Sequence, residues 1–598
     1  MSPRRAHLGL VILGVLLVLP SLRAGFFGDD YLQIAQLEGW SANPVGPLNL
    51  YSFVPPDGGV LARLLDLGAP YFTAPHLKIQ FFRPLSSALM ALDHVLYGRN
   101  PLPYHIDTLL WYAALLAVVG ALYRREAPRS LWLLAFLIFC LDDGHAFSVT
   151  FTAARYAVVS CVLVWLGLAA HLRWRIHGWH AGAYLAPLLG ALGLAAGETG
   201  LGALAYLVAW EVCQRRPGWR RALAPTALLV LGYLVVYRLC GMGAHDSGAY
   251  LDPFSEPISF LSKLPASLLL LFGNLVLRTP LDMALLDERL RAPLLAVGVV
   301  AAVVVAVWLP RALRRLPPDD SARVRWLGLG AAGALVAGTP GMLGERLVFA
   351  AGLGGSVVVA ALLHDAWQMF RARRARILAV VALASFGLPN LVIAAIALPA
   401  KTVFLTRTFE GYRRLALEAE INAPVSTRVV VIALDDLFPL QMLSIRAVEQ
   451  GRQPDELRPI TLGTGAAIDG PDDLGRLGGG VLSMASATHR LRRTAADTVE
   501  LSALDGTLLD GPWPAAFRAR SLPLPRGTTI HTAYMTATVL DDRAGAPTRT
   551  SFQFTRPLED PSLVFLIFRD GRLRKLEMPP VGGELELPRL EPFEAALQ

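Results

Sequence analysis

Cysteine and lysine are scarce and charge of either sign is thin: the 598 residues include four cysteines and four lysines, and only 17% are charged. An ordinary soluble domain carries roughly 25% charged residues, so the deficit argues for a lipid environment. Cys140, Cys161, Cys213 and Cys240 lie in or at the ends of apolar blocks, and the chain beyond residue 401 has no cysteine. That excludes a disulfide framework or a CxxC metal site in the tail, and the four thiols read as small core residues. A phosphate loop, a nucleophile elbow and a tetratricopeptide period are missing as well. The net charge of +8 is carried mainly by arginines clustered in short loops. There a charge bias sets membrane orientation, so no nucleic-acid partner is implied.

What the chain does have is apolar length. Hydrophobic residues make up 54% of it and gather, up to about Leu398, in blocks of about 15–23 residues. At 1.5 Å per residue such blocks cross a hydrocarbon core of about 30 Å. Eleven spans are predicted, near 8–24, 105–123, 130–142, 156–172, 181–197, 200–213, 222–240, 292–310, 326–340, 346–364 and 376–398. Leu264 to Leu277 reads as a re-entrant or interfacial helix; if it spans, the later topology inverts.

The arginines test this register. With Arg4 and Arg5 inside, alternate loops hold Arg124, Arg125 and Arg129; Arg173 and Arg175; Arg215, Arg216, Arg220 and Arg221; Arg311, Arg314, Arg315, Arg323 and Arg325; Arg371, Arg373, Arg374 and Arg376. The short opposite loops hold only Arg155 and Arg346. That asymmetry follows the positive-inside rule and puts the tail outside. Leu22-Arg23-Ala24 is a poor cleavage site, so the first span reads as a retained anchor. The preference for arginine over lysine points to a GC-rich bacterial genome. The expected location is therefore a bacterial inner (cytoplasmic) membrane, crossed many times, with the C-terminal domain on the periplasmic side.

On this topology the polar residues at span ends share the external face. Asp29-Asp30 opens the first loop; Asp142-Asp143-Gly144-His145 and Arg155 belong to the second; Glu198 sits in a short apolar turn; Glu345-Arg346 lies at the mouth of a late span. Charges at a bilayer edge are costly unless they face water or one another, so the set is a candidate site. Each has a plainer reading: a helix cap for Asp29-Asp30 or Glu198, a polar turn for Asp142-Asp143, a snorkelling residue for Arg346, an interface anchor for His105. Together they suit an external cavity in which carboxylates act as a base or hold a divalent cation and arginines hold a phosphate bidentately.

Residues 8–400 carry a resemblance. Phe27-Gly28-Asp29-Asp30-Tyr31, just outside the first span, resembles the acidic motif of GT-C glycosyltransferases. Phe82-Arg83-Pro84-Leu85, Asp93 to Pro101 and Tyr104-His105-Ile106-Asp107 are similar to a run in TMTC-type O-mannosyltransferases and their bacterial relatives. Gly197-Glu198 resembles that family's lysine-glutamate turn and Glu345-Arg346-Leu347 its late element, with Gly197 in place of the lysine and Val348 in place of a tyrosine. The resemblance implies inverting transfer of a sugar from a polyprenyl-phosphate donor to an acceptor hydroxyl on a glycan, lipid or protein. It implies Asp29, then Asp30, as general base. Arg83, Arg155 or Arg346 would hold the phosphate, and His105, Asp142, Asp143 and Glu198 would complete the substrate site. Mg or Mn is the cofactor that Asp30, Asp142 and Asp143 could hold. Competing readings are a transporter or flippase of envelope glycolipids and a non-catalytic membrane scaffold.

The expected architecture is thus a polytopic α-helical membrane bundle, GT-C-like, over residues 1–400, with a long external loop at 25–104, a linker at 401–424 and a soluble mixed α/β, mostly β, domain at 425–598. In the long loop Trp40, Tyr51, Phe53, Tyr71 and Phe72 suit interface anchoring better than stacking on sugar. In the tail, 427–434 reads as a buried strand followed by a helix to about 449. Strands are expected at 496–503, 529–540 and 549–556, and 562–578 reads as a hairpin turning at Asp570-Gly571. Asp435-Asp436 reads as a helix cap.

Overall fold

The computed structural model describes residues 2–39, 43–421, 428–434, 437–450 and 478–589. Trp40 and the pair Asp435-Asp436 lie outside the described residues. The chain divides into two compact units. The first comprises Met1–Ala24, Phe81–Met242 and Leu251–Thr406; the second comprises Gly25–Gln80, Gly243–Tyr250 and Arg407–Gln598. The last boundary falls inside the helix Ala394–Glu418.

The first unit is helical, and local chemistry sets several of its helix starts. Pro84 opens the helix Pro84–Tyr97, which Gly98 ends at φ +58°, a conformation that penalises a Cβ. The Asn100-Pro101 pair then starts Pro101–Glu126: the Asn100 side chain accepts the Leu102 N–H at 3.2 Å, and proline fills a position whose N–H would have no partner. Much of the run that resembles the mannosyltransferases is therefore helix punctuation.

Among the described residues, seven helices are long and apolar enough to cross a membrane: Pro3–Arg23, Pro101–Glu126, Thr152–His177, Trp219–Leu239, Pro257–Leu277, Glu288–Arg315 and Arg376–Glu418. Their outward side chains are apolar; Leu228 is 69% exposed, Val300 61% and Ile377 80%, which water would not tolerate over so wide a surface. Two differences from the sequence reading follow. Pro257–Leu277, read as re-entrant, is a full-length apolar helix. The spans expected at 326–340 and 346–364 are not among the seven, and the segments expected to span at 130–142, 181–197 and 200–213 form helices of only 9, 16 and 16 residues. At 1.5 Å per residue these fall short of about 30 Å; each packs one face on the bundle, while Tyr184 and Leu188 of Ala181–Ala196 stay 77% and 56% exposed. Small residues make that packing close: a Cβ on Gly182 would come within 2.3 Å of the Ala170 carbonyl, and one on Gly354 within 2.0 Å of the Leu327 carbonyl.

The second unit is built on strands. An antiparallel six-stranded sheet runs, in spatial order, Glu584–Leu587, His489–Arg493, Thr498–Ala503, Ala546–Phe554, Met535–Arg543, Thr529–His531. A four-stranded sheet places Arg428–Ala433 parallel to both Leu563–Arg569 and Gly478–Ser483, with Arg572–Lys575 antiparallel at the edge. The predicted strand near 427–434, the helix after it (Phe438–Gln450) and the Asp570-Gly571 hairpin all appear.

The early loop folds into this unit. Tyr71 and Phe72 are buried with Val430, Val481, Phe552 and Phe565, and the Tyr71 ring meets Phe552 edge-on at 5.1 Å. Ala74 N–H donates to the Phe517 carbonyl at 2.9 Å, and Arg518 Nε–H donates to the Phe72 carbonyl at 2.5 Å. These two aromatics are core residues, and Tyr51 is buried too. A sequence window centred on residue 72 cannot show that its partners lie more than 400 positions away.

Candidate functional site

One end of the first unit collects most of the charged residues singled out from the sequence. The segment 141–156, between the helices Trp132–Cys140 and Tyr156–His177, carries Asp142, Asp143, His145 and Arg155. Asp142 pairs with Arg278 at 2.6 Å and accepts the Gly144 N–H at 3.1 Å. Asp143 pairs at 2.6 Å with Lys401, whose ammonium also holds Glu345 at 2.5 Å. Asp282 adds a fourth carboxylate by accepting the Glu345 N–H at 2.9 Å. Arg278 caps Pro257–Leu277 in the left-handed region at φ +54°, a strained choice for a residue with a Cβ. Its pairing with Asp142 and its 3.0 Å bond to Asn390 Oδ1 hold it there.

Four carboxylates thus meet two cations in a nearly dry site. Burial, and then the charge of Asp282, push the Glu345 carboxyl above its ordinary range, although Lys401 pulls the other way. Asp142 stays low: burial opposes its charge, but Arg278, by charge and hydrogen bond, and the Gly144 N–H outweigh it. Burial drives the His145 imidazole down to about 4, so it is neutral, with Nδ1 3.1 Å from the Tyr112 hydroxyl.

A separate pair is made by Arg83. Its Nε–H donates to Glu198 Oε2 at 2.8 Å, and its guanidinium lies 3.6 Å from the centre of the Tyr156 ring and 4.5 Å from that of Phe81. Gly197 is required here, since a Cβ on it would lie 2.6 Å from the same Tyr156 ring. Arg155, one residue before Tyr156, is enclosed differently. Its NH1 reaches Asp107 at 2.6 Å and its NH2 reaches Asp93 at 2.5 Å, with 3% of the residue exposed. Two further candidates are Arg346 and His105. Arg346 lies over the Phe147 ring at 5.6 Å. His105 is fully buried within Pro101–Glu126, which rules out an exposed interface anchor.

Asp29 and Asp30 belong to the second unit. They open the helix Asp29–Leu37 behind Gly28, whose φ of +50° suits glycine. Asp30 is buried and accepts the Phe27 N–H at 3.1 Å, whereas Asp29 is half-buried. The next residue, Tyr31, donates to Glu449 at 2.8 Å, and Glu449 is held by Arg413 at 2.7 Å.

Of the acidic residues proposed as metal ligands, Asp142 and Asp143 do not fit a divalent cation as arranged. Asp142 and Asp143 are each engaged by a different protein cation, and an ion between them would have to displace a guanidinium or an ammonium.

Sequence reasoning passed over Arg278, Asp282 and Lys401, and gave no role to Asp93, Asp107 or Tyr156. Lys401 did carry a signal: it is one of only four lysines, set in the apolar run Leu398 to Leu405.

No family model matches the chain, and no curated protein matches it. Among solved structures it is similar to the crystal structure of ArnT from Cupriavidus metallidurans bound to undecaprenyl phosphate. Identity is 14%, the match covers 76% of this chain and 89% of that chain, and the TM-score is 0.38. A likeness that remote carries no argument about this chain.

Proposed function

We propose that this protein is an inverting glycosyltransferase that moves a sugar from a polyprenyl-phosphate donor to a hydroxyl of an envelope glycan, lipid or protein outside the cytoplasm. The observation that carries the reading is Arg83. It is a guanidinium oriented by Glu198 and stacked on Tyr156 at the end of a bundle whose helices are apolar enough to lie in lipid. A polyprenyl chain keeps its tail in hydrocarbon and its phosphate at the level of helix ends, where a planar guanidinium binds it in a fork. The motif order that resembles GT-C enzymes supports the same reading.

The phosphate is already a competent leaving group, so the protein has to position the acceptor and remove one proton. Asp29 is the base: the acceptor oxygen attacks the anomeric carbon, the bond from that carbon to the phosphate oxygen breaks, and the acceptor proton passes to Asp29. Asp30, which holds the Phe27 N–H, shapes the start of the helix. Arg83, with Arg346 second, takes the phosphate. Arg155, already gripped by Asp93 and Asp107, is assigned to architecture.

The test is a glycolipid and glycoprotein comparison of a deletion strain complemented with wild type or Asp29→Asn, paired with transfer by the purified full chain in nanodiscs. Loss of a general base predicts a drop of about 10²–10⁴-fold with normal folding. An Asp29→Asn protein that restores every missing glycan would remove Asp29 from the mechanism. Movement of lipid-linked sugar across vesicles without transfer would make the protein a flippase.

A further inference from the structure

Two buried polar atoms near Arg83 have no hydrogen-bond partner. Glu198 uses Oε2 on Arg83, while its Oε1 is buried and unmatched. The Tyr233 hydroxyl is likewise buried and unmatched, on a residue only 8% exposed. The two share one neighbourhood: Phe82, the residue before Arg83, packs against Tyr233, and Tyr237 follows one helical turn on. Tyr233 is also set deliberately inward. The helix Trp219–Leu239 is apolar and largely exposed, and its buried residues are Ala222, Thr226 and Tyr233, which share one face. The Phe82 ring meets Tyr233 edge-on at 6.1 Å, the Tyr233 and Tyr237 rings lie 5.7 Å apart, and Tyr156 backs Arg83.

A buried hydroxyl and a buried carboxylate oxygen are both costly without partners, and native proteins seldom leave them so. Phenylalanine at 233 would fill the same space without that cost. The chemistry gathered here is specific: one acceptor oxygen and one hydroxyl, near aromatic rings and a guanidinium. A lipid phosphate alone would not use the acceptor, because a carboxylate repels it. A ring bearing hydroxyls would: it donates to Glu198 Oε1, exchanges a hydrogen bond with Tyr233, and lays its C–H faces on aromatic rings.

We propose that Glu198 and Tyr233 form the subsite that recognises the sugar of the donor, with Tyr233 a specificity-determining residue distinct from the phosphate-binding Arg83. This rests on the glycosyltransferase reading and adds to it the residues that read the sugar.

The experiment measures binding of three lipids to the full chain in nanodiscs: polyprenyl-phosphate mannose, polyprenyl-phosphate glucose, and polyprenyl phosphate without sugar. Wild type is expected to prefer one glycosylated lipid to the bare phosphate. Tyr233→Phe should weaken that lipid about tenfold, the worth of one hydrogen bond, and leave the bare phosphate unchanged. Thermal unfolding of the ligand-free protein supplies a second readout: Tyr233→Phe should match or exceed wild type, because the hydroxyl satisfies nothing within the protein. Equal weakening of sugar-bearing and bare lipid overturns the subsite, as does no weakening of either or a clear fall in melting temperature. If wild type itself binds neither glycosylated lipid better than bare phosphate, the subsite and the donor assignment both fall.

Discussion

The two ends of the first unit use the same ion pair to different ends. The helix Tyr156–His177 is about 33 Å long at 1.5 Å per residue, and it carries Arg175 at one end and Tyr156 at the other. At the Arg175 end, Glu211 is fully buried and has both oxygens engaged: Oε1 by His171 at 2.7 Å and Arg175 Nε at 2.6 Å, Oε2 by Arg175 NH2 at 3.2 Å. Arg175 and Arg216 then close the turn, with Arg216 NH1 donating to the Arg175 carbonyl at 2.9 Å. At the Tyr156 end the Arg83–Glu198 pair is open, with one carboxylate oxygen unmatched and Glu198 a quarter exposed. A closed pair is architecture. An open one has capacity left for a ligand.

Breaking the closed end should have the larger effect on folding. Arg175→Ala strands a buried carboxylate and is expected to cost about 3–5 kcal/mol, read as thermal unfolding in detergent. Wild-type stability in that variant would erase the distinction between the ends. The carboxylate cluster comes next. Lys401→Met should cost about 1–3 kcal/mol, less than a fully buried pair because the lysine side chain is 32% exposed. The sign of its pH dependence follows from Glu345, whose folded carboxyl titrates above its unfolded value. The folded state therefore holds a proton that the unfolded chain has released. The stability this contributes is complete below the unfolded value of about 4.3 and is lost as pH rises toward and through the folded one. Unfolding of wild type should grow easier over that window, and Glu345→Gln should flatten the slope; an unchanged slope would place the proton elsewhere.

Gly197→Ala probes the open end through shape alone. Its Cβ would push on the Tyr156 ring, at a cost of about 1–3 kcal/mol in overpacking, and turnover should fall with the displaced Arg83. Arg83→Gln sharpens the comparison most. Its stability change should be smaller than that of Arg175→Ala, since Glu198 is a quarter exposed and Glu211 is fully buried, while transfer falls at least about 100-fold. A collapse in stability without a specific loss of transfer would make this pair a clasp like the other.

The helices were legible because apolar length and helix punctuation are local properties. The gathering of Asp142, Asp143 and Glu345 at one end was foreseeable from charges at span ends, a pattern that needs no knowledge of packing. Their actual partners were not. Arg278 followed a stretch read as re-entrant, and Lys401 was read only as the point where apolar blocks stop. Ion pairing between positions 143 and 401 is a tertiary fact that no sequence window contains. The same limit explains the early loop: aromatic residues in a Pro/Gly-rich stretch look like surface anchors until a distant sheet is present to bury them.

That burial has a consequence for biosynthesis. Tyr71 cannot meet Phe552 until 481 further residues have been made, which at roughly 5–20 residues per second is about 25–100 s. During that interval Tyr71 and Phe72 have no sheet to cover them, while the helices between are already being laid into lipid. Until then the segment is an apolar stretch without its final cover. Completion of the last hairpin becomes the event that ends its vulnerability to proteases.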